Sequence, residues 1–223
     1  MRRFDVITFD CYGTLIDWEQ GLVSAFQRMA LRRGIALDGQ RMLTVYHQVE
    51  PIVEADSFRT YREVLRETSR RVLRTFGWEP EESELDFLPE SVRDWKPFPD
   101  TNQALVDLRS LGYALGILSN VDDDLFEETR RQLSVDFEFI ITAQQIRSYK
   151  PKLGHFVEAR ERVGSRKWIH AAQSYFHDVL PSSALGIPVA WINRKSAPPE
   201  AETRPDFEYH NLQEFAEAMS KTS

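Results

Sequence analysis

Short apolar segments alternate with helical segments over the second half of this 223-residue chain, and this alternation constrains the fold more than any other feature. Strands that alternate with helices are typical of an α/β fold, in which helices cover both faces of a parallel sheet. The predicted elements are helix Asp100–Leu111, strand Tyr113–Leu118, helix Asp122–Leu133, strand Phe137–Ile141, helix Leu153–Val163, strand Trp168–Ala172, a helix near Val179–Leu185, strands Pro188–Ile192 and Phe207–Tyr209, and helix Leu212–Met219.

A further strand is predicted at the start of the chain. The segment Phe4–Phe9 is mostly apolar and leads directly into Asp10, with Gly13 placed where the chain leaves the sheet. Ligands of open α/β sheets bind at the carboxyl ends of the strands. A carboxylate at this position is compatible with a reactive site, although Asp10 taken alone is more typical of a turn or a strand-end cap.

Helical periodicity occupies the region between Asp17 and Trp95, where Leu22, Phe26 and Met29 share one helix face. The spacing predicts four helices, at about residues 18–33, 39–54, 57–77 and 82–94. We therefore predict a sheet-containing core, residues 1–15 and 97–223, with a helical domain at residues 16–96 inserted after the first strand.

Composition excludes several function classes. A net charge of −7 and a pI near 5.3 argue against binding to nucleic acid or to an acidic membrane surface. Cys11 is the only cysteine, so an intrachain disulfide is excluded, and no zinc-ligand spacing occurs. No run of eighteen apolar residues is present. We expect a cytoplasmic protein that acts on a small molecule.

Four short motifs together resemble the haloacid dehalogenase superfamily. The first is Phe9-Asp10-Cys11-Tyr12-Gly13-Thr14-Leu15, and the others are Ile117-Leu118-Ser119-Asn120, Ser148-Tyr149-Lys150-Pro151 and Gln173-Ser174-Tyr175-Phe176-His177-Asp178. The resemblance covers nearly the whole chain. It implies a Rossmann-like core and a helical cap over the site, so that residues 16–96 would choose the substrate.

The resemblance also implies roles for individual residues. Asp10 would be the nucleophile, Lys150 would balance its charge, and Asp178 would help water to cleave the resulting ester. Four further residues would bind substrate or position the nucleophile: Tyr12, Thr14, Ser119 and Asn120.

Tyr12 favours one branch of the superfamily. Phosphatases of the superfamily usually carry a second Asp at this position, which protonates the leaving alcohol, whereas the type II 2-haloacid dehalogenases do not. A halide leaves without a proton, so a general acid is unnecessary. The resemblance therefore implies hydrolysis of short 2-haloacids without a cofactor. Members of this branch are commonly dimeric, which implies a homodimer.

Some positions depart from the dehalogenase pattern. Gln173 and Tyr175 stand where that branch usually has Ser and Asn. The arginine that its cap contributes has no counterpart at residues 46–48, and Arg41, Arg59 and Arg62 are candidates to replace it. Four aromatic residues belong either to the core or to an apolar pocket wall: Trp18, Tyr46, Phe58 and Tyr61.

Two alternatives remain open at this point. The chain would be a magnesium-dependent phosphatase of a small metabolite if Asp10 and Asp178 were Mg²⁺ ligands. It would be a binding protein on the same fold if the departures had removed turnover.

Overall fold

The computed structural model describes residues 3–55 and 57–221. Its centre is a six-stranded sheet with the order β3-β2-β1-β4-β5-β6, in which all neighbouring strands are parallel. The strands are β1 Val6–Phe9, β2 Ala114–Ser119, β3 Phe139–Thr142, β4 Trp168–Ala172, β5 Val189–Ile192 and β6 Phe207–Tyr209. The predicted α/β class with a parallel sheet is confirmed.

Strand β1 lies in the middle of the sheet, between β2 and β4. Val6 is in register with Ala114 on one side and with Trp168 on the other. All four residues of β1 are buried, as expected of a strand covered on both faces. Asp10 follows β1 directly, so it lies at the carboxyl edge of the sheet.

The helices form two groups. Four of them follow β1 directly in the chain, and with two short 3₁₀ turns they make up a segment that we call the helical insertion, residues 18–94. They are α1 Trp18–Arg32, α2 Gly39–Ala55, α3 Tyr61–Thr75 and α4 Phe87–Ser91. The others are α5 Thr101–Ser110, α6 Asp123–Arg130, α7 Ala143–Ile146, α8 Gly154–Val163, α9 Leu180–Ala184 and α10 Leu212–Ser220.

The sheet is packed on both faces. Ile7 and Phe9 of β1 belong to one apolar cluster, which includes buried residues of α5 and α10. Val6 points to the opposite face and joins a second cluster around Phe156 of α8. Successive residues of a strand point to opposite faces, so β1 contributes to both halves of the core.

Two predicted helix boundaries were wrong. The helix predicted at 57–77 begins at Tyr61, because Thr60 and Glu63 form a capping box that fixes its start. The helix predicted at 82–94 is divided into α4 and the 3₁₀ turns Glu82–Glu84 and Val92–Asp94. A π-helical turn, Tyr175–Val179, precedes α9 and was not predicted.

Several polar contacts join the helical insertion to the sheet-containing part. The Tyr149 hydroxyl donates to the Arg59 carbonyl at 2.9 Å. The Asp122 carboxylate accepts from the N–H groups of Tyr61 and Arg62, and Glu19 pairs with Lys195. The division at residues 16 and 96 stays a prediction. Within the described residues, no helix is long and apolar enough to span a bilayer.

Candidate active site

A cavity of about 90 Å³ lies at the carboxyl edge of the sheet, below the helical insertion. Its position follows from the topology, because parallel strands end at the same edge and their following loops converge there. Six of the seven residues predicted for the site line it: Asp10, Tyr12, Ser119, Asn120, Lys150 and Asp178. The seventh, Thr14, does not line the cavity but contacts Asp10.

Lys150 is buried, and its ammonium group donates three hydrogen bonds. The acceptors are Asp10 Oδ1 at 2.9 Å, Asp178 Oδ1 at 2.6 Å and the Leu118 carbonyl at 2.8 Å. Burial alone would lower the pKa of Lys150, but the two carboxylates outweigh it and raise the pKa above its usual value. An ammonium group has three N–H donors. None is therefore left for a substrate.

Asp10 is held in place through both of its oxygens. Oδ2 accepts from the Thr14 hydroxyl at 2.8 Å, and the Thr14 oxygen accepts in turn from the N–H of Gln173 at 2.8 Å. Burial raises the pKa of Asp10, and the nearby Lys150 charge opposes this. Gly13 makes the sharp turn beyond Asp10 with a φ of 96°, as the sequence predicted.

Asp178 ends a chain of hydrogen bonds that crosses the sheet. Trp168 Nε1 donates to the Thr8 hydroxyl at 2.7 Å, and Thr8 contacts His170 Nδ1 at 2.9 Å. His170 Nε2 then lies 2.9 Å from Asp178 Oδ1. We assign the tautomer with the proton on Nε2, because a carboxylate only accepts.

The electrostatics of Asp178 follow from these partners. Burial would raise its pKa, but Lys150 and His170 outweigh it and lower the pKa to about 2. The other oxygen, Oδ2, is buried without a hydrogen-bond partner among the described residues. Asp178 is therefore an ionised carboxylate with one oxygen that has no hydrogen-bond partner among the described residues.

Sequence reasoning missed Thr8 and His170. The available signal was two polar side chains at matching positions of adjacent apolar strands, and the register does pair them directly. Polar groups inside a covered sheet need partners, so such a pair indicates a buried network.

Ser119 and Asn120 have different surroundings. Ser119 is fully buried and lines the cavity, and its hydroxyl has no partner among the described residues. The Asn120 side chain instead contacts the main chain of Lys150 twice, since Nδ2 donates to the carbonyl and Oδ1 accepts from the N–H. The Asn120 side chain thereby positions Lys150, and the predicted role of Asn120 in binding the substrate stays a prediction.

The helical insertion contributes its own residues to the cavity wall. They are Trp18, Glu50, Glu54 and Tyr61. Trp18 and Tyr61 were among the aromatic candidates, whereas the two glutamates were missed. Nothing in the helical pattern of α2 distinguishes them from solvent-facing glutamates. The part of the cavity wall that the helical insertion contributes is therefore both aromatic and acidic.

None of the three arginine candidates lines the cavity. Arg41 lies over the ring of Phe76, and Arg62 pairs with Asp124 at 2.6 Å. The main chain of Arg59 contacts Tyr149. The arginine that the resemblance led us to expect has no counterpart here.

The two carboxylates of the phosphatase alternative, Asp10 and Asp178, both line the cavity. Within residues 3–55 and 57–221, no group of three Asp, Glu, His or Cys side chains is placed to hold a metal ion. Asp10 and Asp178 instead share the Lys150 ammonium. The absence of a cofactor remains a prediction.

Comparison with known proteins places this geometry in context. A family model described as haloacid dehalogenase-like hydrolase matches residues 4–173. The chain is 27% identical over 203 residues to (S)-2-haloacid dehalogenase 4A of Burkholderia cepacia, a match that covers 88% of this chain and 86% of the relative. It is 28% identical over 213 residues to haloacetate dehalogenase H-2 of Moraxella sp. (strain B), covering 93% and 94%.

The fold is also similar to a solved structure, that of L-2-haloacid dehalogenase from Xanthobacter autotrophicus with chloropropionic acid covalently bound. The TM-score is 0.84 at 23% identity, and the match covers 99% of this chain and 100% of that one.

Proposed function

Since this chain belongs to the haloacid dehalogenase-like hydrolases, we propose that it hydrolyses the carbon–halogen bond of short 2-haloacids through an ester on Asp10. The observation that carries this proposal is the environment of Tyr12. Its hydroxyl is bonded to Thr129 at 2.8 Å, and burial raises its pKa well above the usual value. Tyr12 is thus a poor acid, which suits a leaving group that needs no proton.

In the first step, an Asp10 oxygen attacks the carbon that bears the halogen. The new C–O bond forms as the carbon–halogen bond breaks, the halide leaves with the bonding electrons, and the configuration at carbon inverts. Lys150 and Thr14 hold Asp10 throughout. The substrate carboxylate accepts from the free Ser119 hydroxyl at the cavity wall.

In the second step, water attacks the carbonyl carbon of the Asp10 ester. The bond between that carbon and the alkyl oxygen breaks, so the hydroxyacid leaves with an oxygen that came from Asp10. The free Oδ2 of Asp178 holds the water. His177 lines the same cavity, and burial lowers its pKa, so the neutral ring is available to accept a proton.

The helical insertion supports a cap role in this proposal, because four of its residues wall the cavity from the side opposite the sheet. Closing a cap excludes water and strengthens electrostatic interactions inside. A homodimer and a cytoplasmic location stay predictions.

The test is halide release from the enantiomers of 2-chloropropionate by wild type and by Asp10→Asn, with either EDTA or magnesium present. We expect metal-independent release by wild type that Asp10→Asn reduces by about a thousandfold or more. Asp136→Asn is the matched control, since that side chain is 91% exposed, and it should behave as wild type.

A single turnover in ¹⁸O-labelled water separates the ester route from direct attack by water. Label should appear in the peptide that contains Asp10. Release of phosphate from esters only with magnesium, without halide from any haloacid, would contradict the proposal and support the phosphatase alternative.

A further inference from the structure

Two glutamates of the helical insertion face the reaction site. Glu50 and Glu54 are one turn apart on α2 and line the same cavity as Asp10. Glu50 Oε1 accepts hydrogen bonds from the hydroxyls of Tyr46 and Tyr61, at 2.9 and 3.1 Å. Glu54 has no hydrogen-bond or ion-pair partner in the part of the chain that the structure describes.

No cationic side chain among the described residues of the cavity wall is available to form an ion pair with these two carboxylates. Among the described residues that line it, Lys150 is the only Lys or Arg, and all three of its N–H groups are engaged. His177 is neutral near pH 7, because burial lowers its pKa. Burial and the neighbouring charge of Glu50 raise the pKa of Glu54 well above its usual value, and the Lys150 charge opposes this only in part, so a cation beside Glu54 would favour its carboxylate form.

A second observation concerns the opposite side of the cavity, where another group of the ligand would bind. The Ser119 hydroxyl is fully buried and lacks a partner among the described residues, and Ser119 lines the cavity from the sheet side. A hydroxyl there can donate to a carboxylate of the substrate. The wall thus offers a donor on the sheet side and unpaired acceptors on the α2 side.

We propose that Glu50 and Glu54 select a substrate that carries an ammonium group in addition to its carboxylate, so that the preferred haloacid is zwitterionic. This inference rests on the proposed function for its reaction, and it goes beyond that function in naming the substrate class. The ammonium group lies against Glu54, where its N–H groups find acceptors, while the carboxylate lies against Ser119. A monoanionic haloacid leaves Glu54 unpaired.

Two isosteric haloacids test the preference during turnover. In 3-amino-2-chloropropionate an ammonium group replaces the terminal methyl group of 2-chlorobutyrate. Wild type should release chloride from the ammonium compound with a kcat/KM about tenfold higher or more, through a lower KM. Glu54→Gln should abolish that preference, and Glu54→Asp should retain part of it.

The matched control is Glu90→Gln. Glu90 is an exposed glutamate of the same helical insertion, on α4, and it does not line the active-site cavity. This variant should keep the preference of wild type. Loss of the preference in Glu90→Gln as well would show a nonspecific effect of cap charge and would overturn the assignment to Glu54.

Binding of unhalogenated analogues separates failure of this inference from failure of the reaction. Titration calorimetry on wild type should show that β-alanine binds about tenfold more tightly than its isostere butyrate, and Glu54→Gln should remove the difference. If no haloacid releases halide but β-alanine still binds in a Glu54-dependent way, the proposed reaction is wrong, whereas the assignment of Glu54 to the ammonium group of the ligand stands. Equal or tighter binding of butyrate by wild type overturns the inference, even where halide is released.

Discussion

Lys150 connects the two carboxylates on which the proposed chemistry depends. Its buried ammonium lies within 2.9 Å of Asp10 and 2.6 Å of Asp178. Removing one member of such a buried set leaves like charges facing each other without compensation, which costs more than the original set contributed.

We predict that Lys150→Met lowers the free energy of unfolding by about 3 kcal/mol and lowers kcat by about a hundredfold or more. The neutral side chain cannot hold Asp10 and Asp178, so one carboxyl takes up a proton. Urea denaturation and halide release measure the two effects. Lys152→Met is the control, because Lys152 is exposed two residues away. Equal effects in the two variants would contradict the special role of Lys150.

The residues that could be predicted from sequence are those in loops after strands. Asp10, Lys150 and Asp178 each follow an apolar strand or a recognisable motif, and the structure brings all three together. Glu50 and Glu54 could not be found in this way. They lie inside a helix, and only the packing of α2 over the sheet edge turns them toward the cavity.

At the scale of elements, a carboxylate of the sheet-containing part accepts hydrogen bonds from the first N–H groups of α3. Asp122 accepts from Tyr61 N at 2.9 Å and from Arg62 N at 2.8 Å. These are first-turn N–H groups that lack partners within the helix, and a negative charge there is favourable. Asp122 therefore fixes the helical insertion to the loop after β2.

We predict that Asp122→Asn destabilises the protein by about 1 kcal/mol and speeds amide hydrogen exchange at residues 61 and 62. The amide side chain still accepts one hydrogen bond but loses the charge and the second acceptor. Asp124→Asn is the neighbouring control, expected to change stability by less than about 0.5 kcal/mol, because its pair with Arg62 is exposed. Unchanged exchange in Asp122→Asn would refute the anchoring role.

The type of an element could be predicted where its hydrophobic pattern was clear, as for the strands and α1. The first residue of α3 could not be predicted, because the Thr60 capping box and the hydrogen bond to Asp122 fix it together. A contact between residues about sixty positions apart cannot be recognised from a local sequence pattern.

At the scale of the whole molecule, Glu19 links α1, α2 and the loop after β5. It accepts from His47 Nε2 at 3.0 Å and from Lys195 Nζ at 2.6 Å. These hydrogen bonds, led by that of His47, lower the pKa of Glu19 to about 2. A carboxyl whose pKa is lowered by folding contributes stability above its unfolded pKa and loses it as the pH falls toward the folded value.

We predict that Glu19→Gln is less stable than wild type by about 1 kcal/mol at neutral pH, a value reduced by the partial exposure of the site. The difference should shrink as the pH falls from 4.5 toward about 2. Thermal melting of both proteins across that range measures it, with Glu161→Gln as an exposed control. A difference that stays constant with pH would show that ionisation of Glu19 is not its cause.

The central position of β1 also affects how the chain is made. Its partners in the sheet arrive 108 residues later, with Ala114, and 162 residues later, with Trp168. During synthesis the strand that leads to Asp10 therefore emerges long before either neighbour exists, and its apolar side chains stay uncovered meanwhile. Exposed apolar strands are prone to aggregation, so the interval before β2 and β4 are made is the one in which this segment is most exposed to it. For the same reason, Asp10 can pair with Lys150 only after most of the polypeptide has been synthesised.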